Sequence, residues 1–354
     1  MVILQSAEQE MRNSRPSGST AHDETVSVVV PCYNEERFIT KALEKLAGQY
    51  DLEQYEIIIV DGLSKDRTRD VIDEFKLLHS DLSITLIDNP ARNIPTALNL
   101  GINAARGNII ARMDAHAVPS PGYIRRCVEV LRKGDIGVVG MPCRVQPGAS
   151  TVVAHAVASA VSHPFGIGDA KYRLREGGPL QEPVDTVAFA CFRKCLWEEL
   201  GGFNEELHTN EDYDFNYRAR QAGSKVILDR SGHCDYFART SLATLGDQYA
   251  RYGGWKAQMI RLHPRSIKLR HLVAPLYVLS IFLLGLLGVI WWPAWLILGT
   301  GMAFYFLLAF VFGFQTARHQ PKSLQVWLLM PWVFLTIHVA WGTSFLVGLL
   351  RRPS

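Results

Sequence analysis

At 354 residues, 48% of them apolar and with a formal charge of +3, the chain has room for one large domain or two, and its charge balance excludes a strongly basic nucleic-acid binder. The average hides a division. The last acidic residue is Asp247; residues 248–354 hold ten Lys or Arg and no Asp or Glu, so residues 1–247 carry a formal −7.

The first 24 residues are polar, with no sustained apolar core, and read as a mobile tail rather than a secretory leader. "VSVVVP", Val26 to Pro31, is a β-branched run that predicts a buried strand. Glu35 to Gln49 has helical spacing, with Phe38, Ile39, Ala42, Leu43 and Leu46 on one face. "YEIIIVD" predicts a second strand ending at Asp61, and Asp66 to Leu78 a second helix, which Asp66 is placed to cap. "SITLID" is a third strand, Ile94 to Ala105 a third helix, and "NIIARMD" a fourth strand ending at Asp114. Tyr123 to Arg132 is helical and "IGVVGMP" strand-like. His155 to Pro183 has no usable motif, and its glycines predict a mobile loop. Thr209 or Asn210 is placed to cap a helix running to Ala222, with Gly223 just past its end. The six cysteines form no CxxC pair and read as reduced thiols.

Residues 248–271 read as a basic amphipathic segment suited to an anionic membrane surface, with Arg251, Lys256, Arg261, Arg265, Lys268 and Arg270 interleaved with Trp255, Met259 and Leu262. Residues 272–350 hold three apolar spans: Leu272–Val289, Ala294–Phe314 and about Leu324 to Leu350. By the positive-inside rule the first 271 residues face the cytoplasm. Three crossings would put Arg351 and Arg352 outside, so either the stronger upstream charge wins or one segment is re-entrant.

The alternation of strand and helix argues an α/β fold with a mostly parallel sheet, whose ligands bind beyond the carboxyl ends of the strands. Pro31, Asp61 and Asp114 sit at three such ends. No GxGxxG follows the first strand and no Walker loop is present, so a bound diphosphate would need its charge met otherwise, most simply by a divalent cation.

"VSVVVPCYNEERFI", "YEIIIVDGLSKDRT", "ARGNIIARMDAHA" and "GGFNEELHTNEDYDFNYRARQAG", in that order, resemble the family 2 glycosyltransferases of the GT-A fold over about residues 25–255. With "VDTVAFACFRK" and the three spans, the chain is most similar to succinoglycan-type exopolysaccharide glucosyltransferases, which extend a sugar chain on a membrane lipid. The resemblance implies a GT-A catalytic domain over residues 25–247 and single, inverting transfer from a nucleotide-diphosphate sugar to a lipid-linked (polyprenyl) acceptor at the cytoplasmic membrane. Asp114 would hold a divalent cation on the leaving diphosphate. The family usually has a second Asp where this chain has His116. In an extended strand the two side chains share one side, and an imidazole shifts preference from Mg²⁺ toward Mn²⁺. The resemblance also places Asp61 on the nucleoside, Asp66, Pro31, Tyr33 and Glu35 in the nucleotide-binding loops, and Arg251 on the diphosphate. It makes Asp212 the base, Glu211 a group that orients the acceptor, and Trp255 a stacking surface for a sugar. In "QYARYGGW" Gln248 and Arg251 keep the QxxRW spacing of the family's processive members, but Tyr252 stands where those have Trp; with too few spans for a polymer channel, this argues for a single addition. The alternatives are a polyprenyl-phosphate sugar synthase, whose acceptor is the lipid phosphate itself, and a non-catalytic nucleotide-sugar-binding membrane protein.

Overall fold

A computed structural model describes residues 24–51, 54–173, 177–318 and 320–351. Its first half runs β1 (Val26–Cys32), α1 (Ile39–Ala47), β2 (Tyr55–Asp61), α2 (Thr68–Leu78), β3 (Ser83–Asp88), α3 (Ile94–Ala104), β4 (Ile109–Arg112), β5 (Val118–Pro119), α4 (Tyr123–Leu131), β6 (Ile136–Gly140) and β7 (Cys143–Gln146). Then come α5 (Val152–Ala160), α6 (Pro164–Ile167), β8 (Gln181–Pro183), β9 (Cys191–Arg193), α7 (Lys194–Glu199), α8 (Glu211–Gln221), β10 (Lys225–Asp229) and β11 (Cys234–Phe237). Four long helices close the chain: α9 (Leu242–Leu262), α10 (Arg270–Ile290), α11 (Pro293–Ala317) and α12 (Ser323–Leu350).

The main sheet has eight strands in the order β3-β2-β1-β4-β9-β6-β10-β8. β1 pairs in parallel with both β2 and β4, and β10 with β6, while β9 and β8 run antiparallel to their neighbours. The unbroken apolar runs of β1 and β2 follow from this placement, since a central parallel strand is covered on both faces. One face packs Val28, Ile57 and Ile59 against Ile39, Leu43, Ile72 and Ile124 of α1, α2 and α4. The other packs Val29, Ile58 and Phe192 against Leu98 of α3 and Phe215 of α8. A second sheet, β5-β11-β7, stands beside the carboxyl end of β4.

Three expectations are corrected. β4 stops at Arg112, two residues short of the strand read in the sequence, because the chain turns where the Ala117 N–H donates to the Asp114 carbonyl at 2.9 Å. Asp114 and His116 therefore sit on a turn, and strand alternation is not what brings them together. The segment expected as a mobile loop, His155–Pro183, instead contains most of α5, all of α6 and β8; its residues 174–176 lie outside the described residues. α5, "VVAHAVASA", lacks an amphipathic period because it is enclosed: Ala156, Val157 and Ala160 share one core with Tyr305, Ala309, Val333 and Phe334 of the last two helices. The expected N-terminal tail lies outside the described residues except for Glu24, which is buried and paired with Arg132 at 2.7 Å.

α10, α11 and α12 are each long and apolar enough to cross a membrane, and each is a continuous helix without a re-entrant break. Their outer faces expose Phe282, Leu286, Leu296 and Leu307, as lipid contact requires. α9 crosses the expected boundary at residue 247 without interruption and lies along α12. The contact is close because it is made by glycines: Gly253 lies against the Trp341 carbonyl, and Gly348 against Gly254 and Ala257. The basic stretch is only partly a membrane-facing surface. Lys256 is buried, and Lys268 and Arg270 turn inward to pair with Asp185 of the sheet domain.

Candidate active site

The strand that carries "IIAR" ends in a buried arginine, and a buried guanidinium demands partners. Arg112 Nη2 finds Glu211 at 2.8 Å and Asp114 at 3.5 Å, and so joins the turn after β4 to the first residue of α8. Burial pushes the Glu211 carboxyl up to about 7 against the pull of Arg112, with Asp212 adding to the rise. Burial lowers Arg112, but Glu211, Asp114 and Asp212 outweigh it and hold the guanidinium charged. Asn210 enters α8 with φ 71°, a left-handed turn that Asn tolerates, and its side chain makes no cap. The helix N-terminus favours the acids that follow. Glu211 is thereby locked against Arg112, while Asp212 faces the open cavity.

His116 Nδ1 lies 3.0 Å from Glu35 Oε1. Burial lowers this imidazole, but Glu35 and Asp114 outweigh it and raise its pKa overall. When Nδ1 donates to Glu35, Nε2 presents its lone pair, the arrangement by which a carboxylate fixes a metal-binding tautomer. Nε2 takes no hydrogen bond among the described residues. The described residues contain no group of three or more His, Cys, Asp or Glu able to hold an ion. Asp114 and His116 could thus supply two ligands at most, which fits a divalent cation that takes its remaining oxygens from a diphosphate and water.

The sequence-predicted nucleotide residues form a neighbouring cluster. Tyr33 is 43% exposed, its ring lies over Gly62, and the Arg92 guanidinium stands 5.8 Å from the ring centroid. Arg92 Nε donates to the Gly62 carbonyl at 3.0 Å and lines the cavity. Asp61 is 0% exposed and already accepts from the Ser64 N–H, the Ser64 hydroxyl and Arg69. Asp66 accepts from the Thr68 N–H at 3.0 Å and the Glu36 N–H at 3.3 Å, stitching the two loops together; Arg67, not Asp66, occupies the cap position of α2. Pro31 is part of β1, paired with Val60. None of Pro31, Tyr33, Glu35, Asp61 and Asp66 lines the large cavity; Tyr33 reaches it through Arg92 and Glu35 through His116.

That cavity, about 1380 Å³, brings Asp114, His116, Glu211 and Asp212 together with Arg251 and Trp255. From α9 it takes Gln248, Tyr249, Arg251, Tyr252, Trp255 and Lys256, most of them on one helical face at i, i+3, i+4, i+7 and i+8. Gln248 donates to the hydroxyls of Tyr236 and Tyr252, both at 2.9 Å, so Tyr252 has its own partner in place of the usual Trp. Arg251 is exposed, and Trp255 packs 5.2 Å from the His208 ring. The far end lies between the apolar helices, at Tyr277, Tyr305 and His338. His338 is bonded on both nitrogens, to the Tyr305 hydroxyl at 2.9 Å and to the Phe165 carbonyl at 2.8 Å, as suits a neutral imidazole.

The model of the family described as "Glycosyl transferase family 2" matches residues 27–246. The chain belongs to glycosyl transferase family 2. A Methanococcus voltae dolichyl N-acetyl-alpha-D-glucosaminyl phosphate 3-beta-D-2,3-diacetamido-2,3-dideoxy-beta-D-glucuronosyltransferase is 30% identical over 67% of this chain and 74% of its own length. The succinoglycan biosynthesis protein ExoA of Rhizobium meliloti (strain 1021) is 27% identical over 90% of this chain and 93% of its own. In fold the chain is similar to the mannosyltransferase PcManGT from Pyrobaculum calidifontis, solved with GDP-Man and Mn²⁺: TM-score 0.61 at 21% identity, over 96% of this chain and 94% of that one. The GT-A architecture expected from the sequence is thus the architecture of this transferase.

Sequence reasoning missed two residues, Arg112 and Asp214, and one partnership, that of Glu35 with His116. Arg112 carried a signal, a lone charge inside an apolar run. The partnership of Glu35 with His116 spans 81 positions and left none. Asp214, the third acid of "EDYD", is buried and pairs with Arg218 at 2.7 Å and His263 at 2.8 Å, tying α8 to the end of α9.

Proposed function

We propose that this family 2 glycosyltransferase moves one sugar, with inversion, from a nucleotide-diphosphate sugar to a lipid-linked acceptor at the cytoplasmic face of the membrane. The observation that carries the reading is the single cavity that holds Asp114 and Asp212 and continues between the apolar helices. The donor's base would stack near Tyr33 and Arg92 and be oriented by Asp61, with the Pro31 and Asp66 loops behind it. Its diphosphate would lie at Asp114, within reach of Arg251. Asp114 and His116, the latter fixed by Glu35, would hold a divalent cation, Mn²⁺ or Mg²⁺, whose chemistry is to neutralise the charge gathering on the departing diphosphate oxygens. Asp212 would take the proton of the acceptor hydroxyl. That oxygen attacks the anomeric carbon from the side opposite the diphosphate, the bond to the diphosphate oxygen breaks, and the configuration inverts without a covalent enzyme intermediate. Glu211, clamped by Arg112, sets the entry of α8 and hence the position of Asp212; Trp255 would stack on a sugar of the acceptor.

A lipid-borne acceptor is supported by the relatives, one a dolichyl-phosphate-sugar transferase and one a succinoglycan biosynthesis protein, and by the inward basic residues that hold the sheet domain against the spans. The test is a panel of nucleotide sugars offered with membrane lipid extract to the purified protein, with mass analysis of the product. A longer glycan on a lipid carrier supports the reading; one sugar on a monophosphate lipid supports the polyprenyl-phosphate sugar synthase; no transfer and no donor hydrolysis with any sugar sinks both.

A further inference from the structure

Lys256 is 4% exposed, and its ammonium makes no hydrogen bond or salt bridge among the described residues. Its Nζ stands over the face of the Tyr213 ring, 3.4 Å from the centroid. The acids nearby are committed: Asp185 to Lys268 at 3.0 Å and to Arg270, and Asp169 to Arg270. Three cations, Lys256, Lys268 and Arg270, thus meet two acids, with Asp212 facing the cavity beyond them and His271 beside them. Burial, followed by Arg270, pushes the Lys256 ammonium down to about 7. A buried ammonium without an anion is a poor packing device, since a Met of similar length would fill the space without desolvation. The position has a further property. Lys256 lines the cavity one residue after Trp255, and the same cavity takes in the acids of α8 and Tyr277, Tyr305 and His338 of the apolar helices.

We propose that Lys256 is the counter-ion for the phosphate or diphosphate of the acceptor's lipid carrier, with the carrier's hydrocarbon running along Tyr277, Tyr305 and Trp341. The proposal rests on the lipid-linked reading of the acceptor and adds to it the group that grips the carrier. A phosphate there completes the charge of the cluster, and the adjacent sugar lies toward Trp255 and Asp212. An ammonium is a compact point charge, which suits a phosphate that must dock and leave after one addition.

The test measures binding without turnover, on the full chain in detergent, by calorimetry with farnesyl diphosphate, farnesol, UDP and GDP. Lys256→Met keeps the stem and drops the charge; Lys256→Gln keeps a donor. The expected result is a loss of tenfold or more in farnesyl diphosphate affinity in both variants, with farnesol, UDP and GDP unchanged; the unchanged nucleotide binding also shows that the fold is intact. Undiminished farnesyl diphosphate affinity would overturn the proposal, as would no binding to the unaltered protein. An equal loss for UDP or GDP would reassign Lys256 to the donor and overturn it too. Since no sugar is transferred, Lys256-dependent binding can stand even where the nucleotide-sugar panel yields no product, so the two readings fail separately.

Discussion

The Arg112 guanidinium and the Glu211 carboxylate meet at 2.8 Å with both side chains almost wholly out of water. One belongs to the strand whose end carries Asp114, the other to the helix whose next residue is Asp212. The pair therefore spaces the two acids on which the proposed transfer depends. Breaking it by removing one partner leaves an uncompensated buried charge, which costs about 3–5 kcal/mol. Glu211→Gln strands a guanidinium that cannot lose its charge and keeps only Asp114 at 3.5 Å, so it is expected to lower unfolding stability by that amount, whereas Arg112→Met strands a carboxyl that can take up a proton and should cost less. Replacing both by apolar residues should recover much of the loss. Denaturant unfolding of the four proteins checks this; a Glu211→Gln variant as stable as its parent would show that the pair spaces nothing.

Asp212 faces the same cavity and pairs with no cation among the described residues, which suits the proposed proton acceptor. Asp212→Asn keeps the shape and loses the base. Turnover should fall by about 10²–10⁴-fold, the usual worth of general-base catalysis, while nucleotide affinity measured by calorimetry stays within twofold. Retained turnover would move the base to another residue.

The sheet was legible because its code is local. β2 and β3 have the bounds read from "YEIIIVD" and "SITLID", since β-branched runs between turn residues admit few alternatives. α8 ends at Gln221, and Gly223, φ 87°, stands just past its end as expected. What could not be read is long-range. β9 has three residues and enters the sheet antiparallel between β4 and β6, a pairing fixed by packing. α5 was taken for a loop because enclosure on all sides erases the amphipathic period. At the site, the acids were visible as motifs, but the groups that fix them, Arg112 for Glu211 and Glu35 for His116, are set by topology.

The Glu35–His116 contact separates holding a cation from using it. Chelation with EDTA is expected to abolish transfer, and Mn²⁺ to restore it. Glu35→Ala frees the ring and its tautomer, so the Mn²⁺ concentration for half-activation should rise about 10–100-fold, the scale of such supporting partners. Activity at saturating Mn²⁺ should recover. Asp114→Asn should not recover at any Mn²⁺ concentration. Full activity in chelator would remove the cation from the mechanism altogether.

Glycines seat α9, which carries the proposed acceptor residues, on α12. A Cβ built on Gly253 would stand 2.2 Å from the Trp341 carbonyl oxygen, a backbone atom of α12 that cannot swing aside. Even alanine must therefore part α9 from α12, at about 1–3 kcal/mol, the range for forced overpacking. α9 carries Trp255 and Lys256, so the displacement falls on the acceptor side of the cavity. Gly253→Ala should lower the thermal midpoint and raise the acceptor KM while donor affinity is unchanged. Gly285 supplies the contrast, because a Cβ there meets nothing within 4 Å. Gly285→Ala should be neutral, or stabilising by about 0.4–1 kcal/mol through the helix it stiffens. If both substitutions were equally harmless, the glycine contact would not be what seats α9 on the membrane helices.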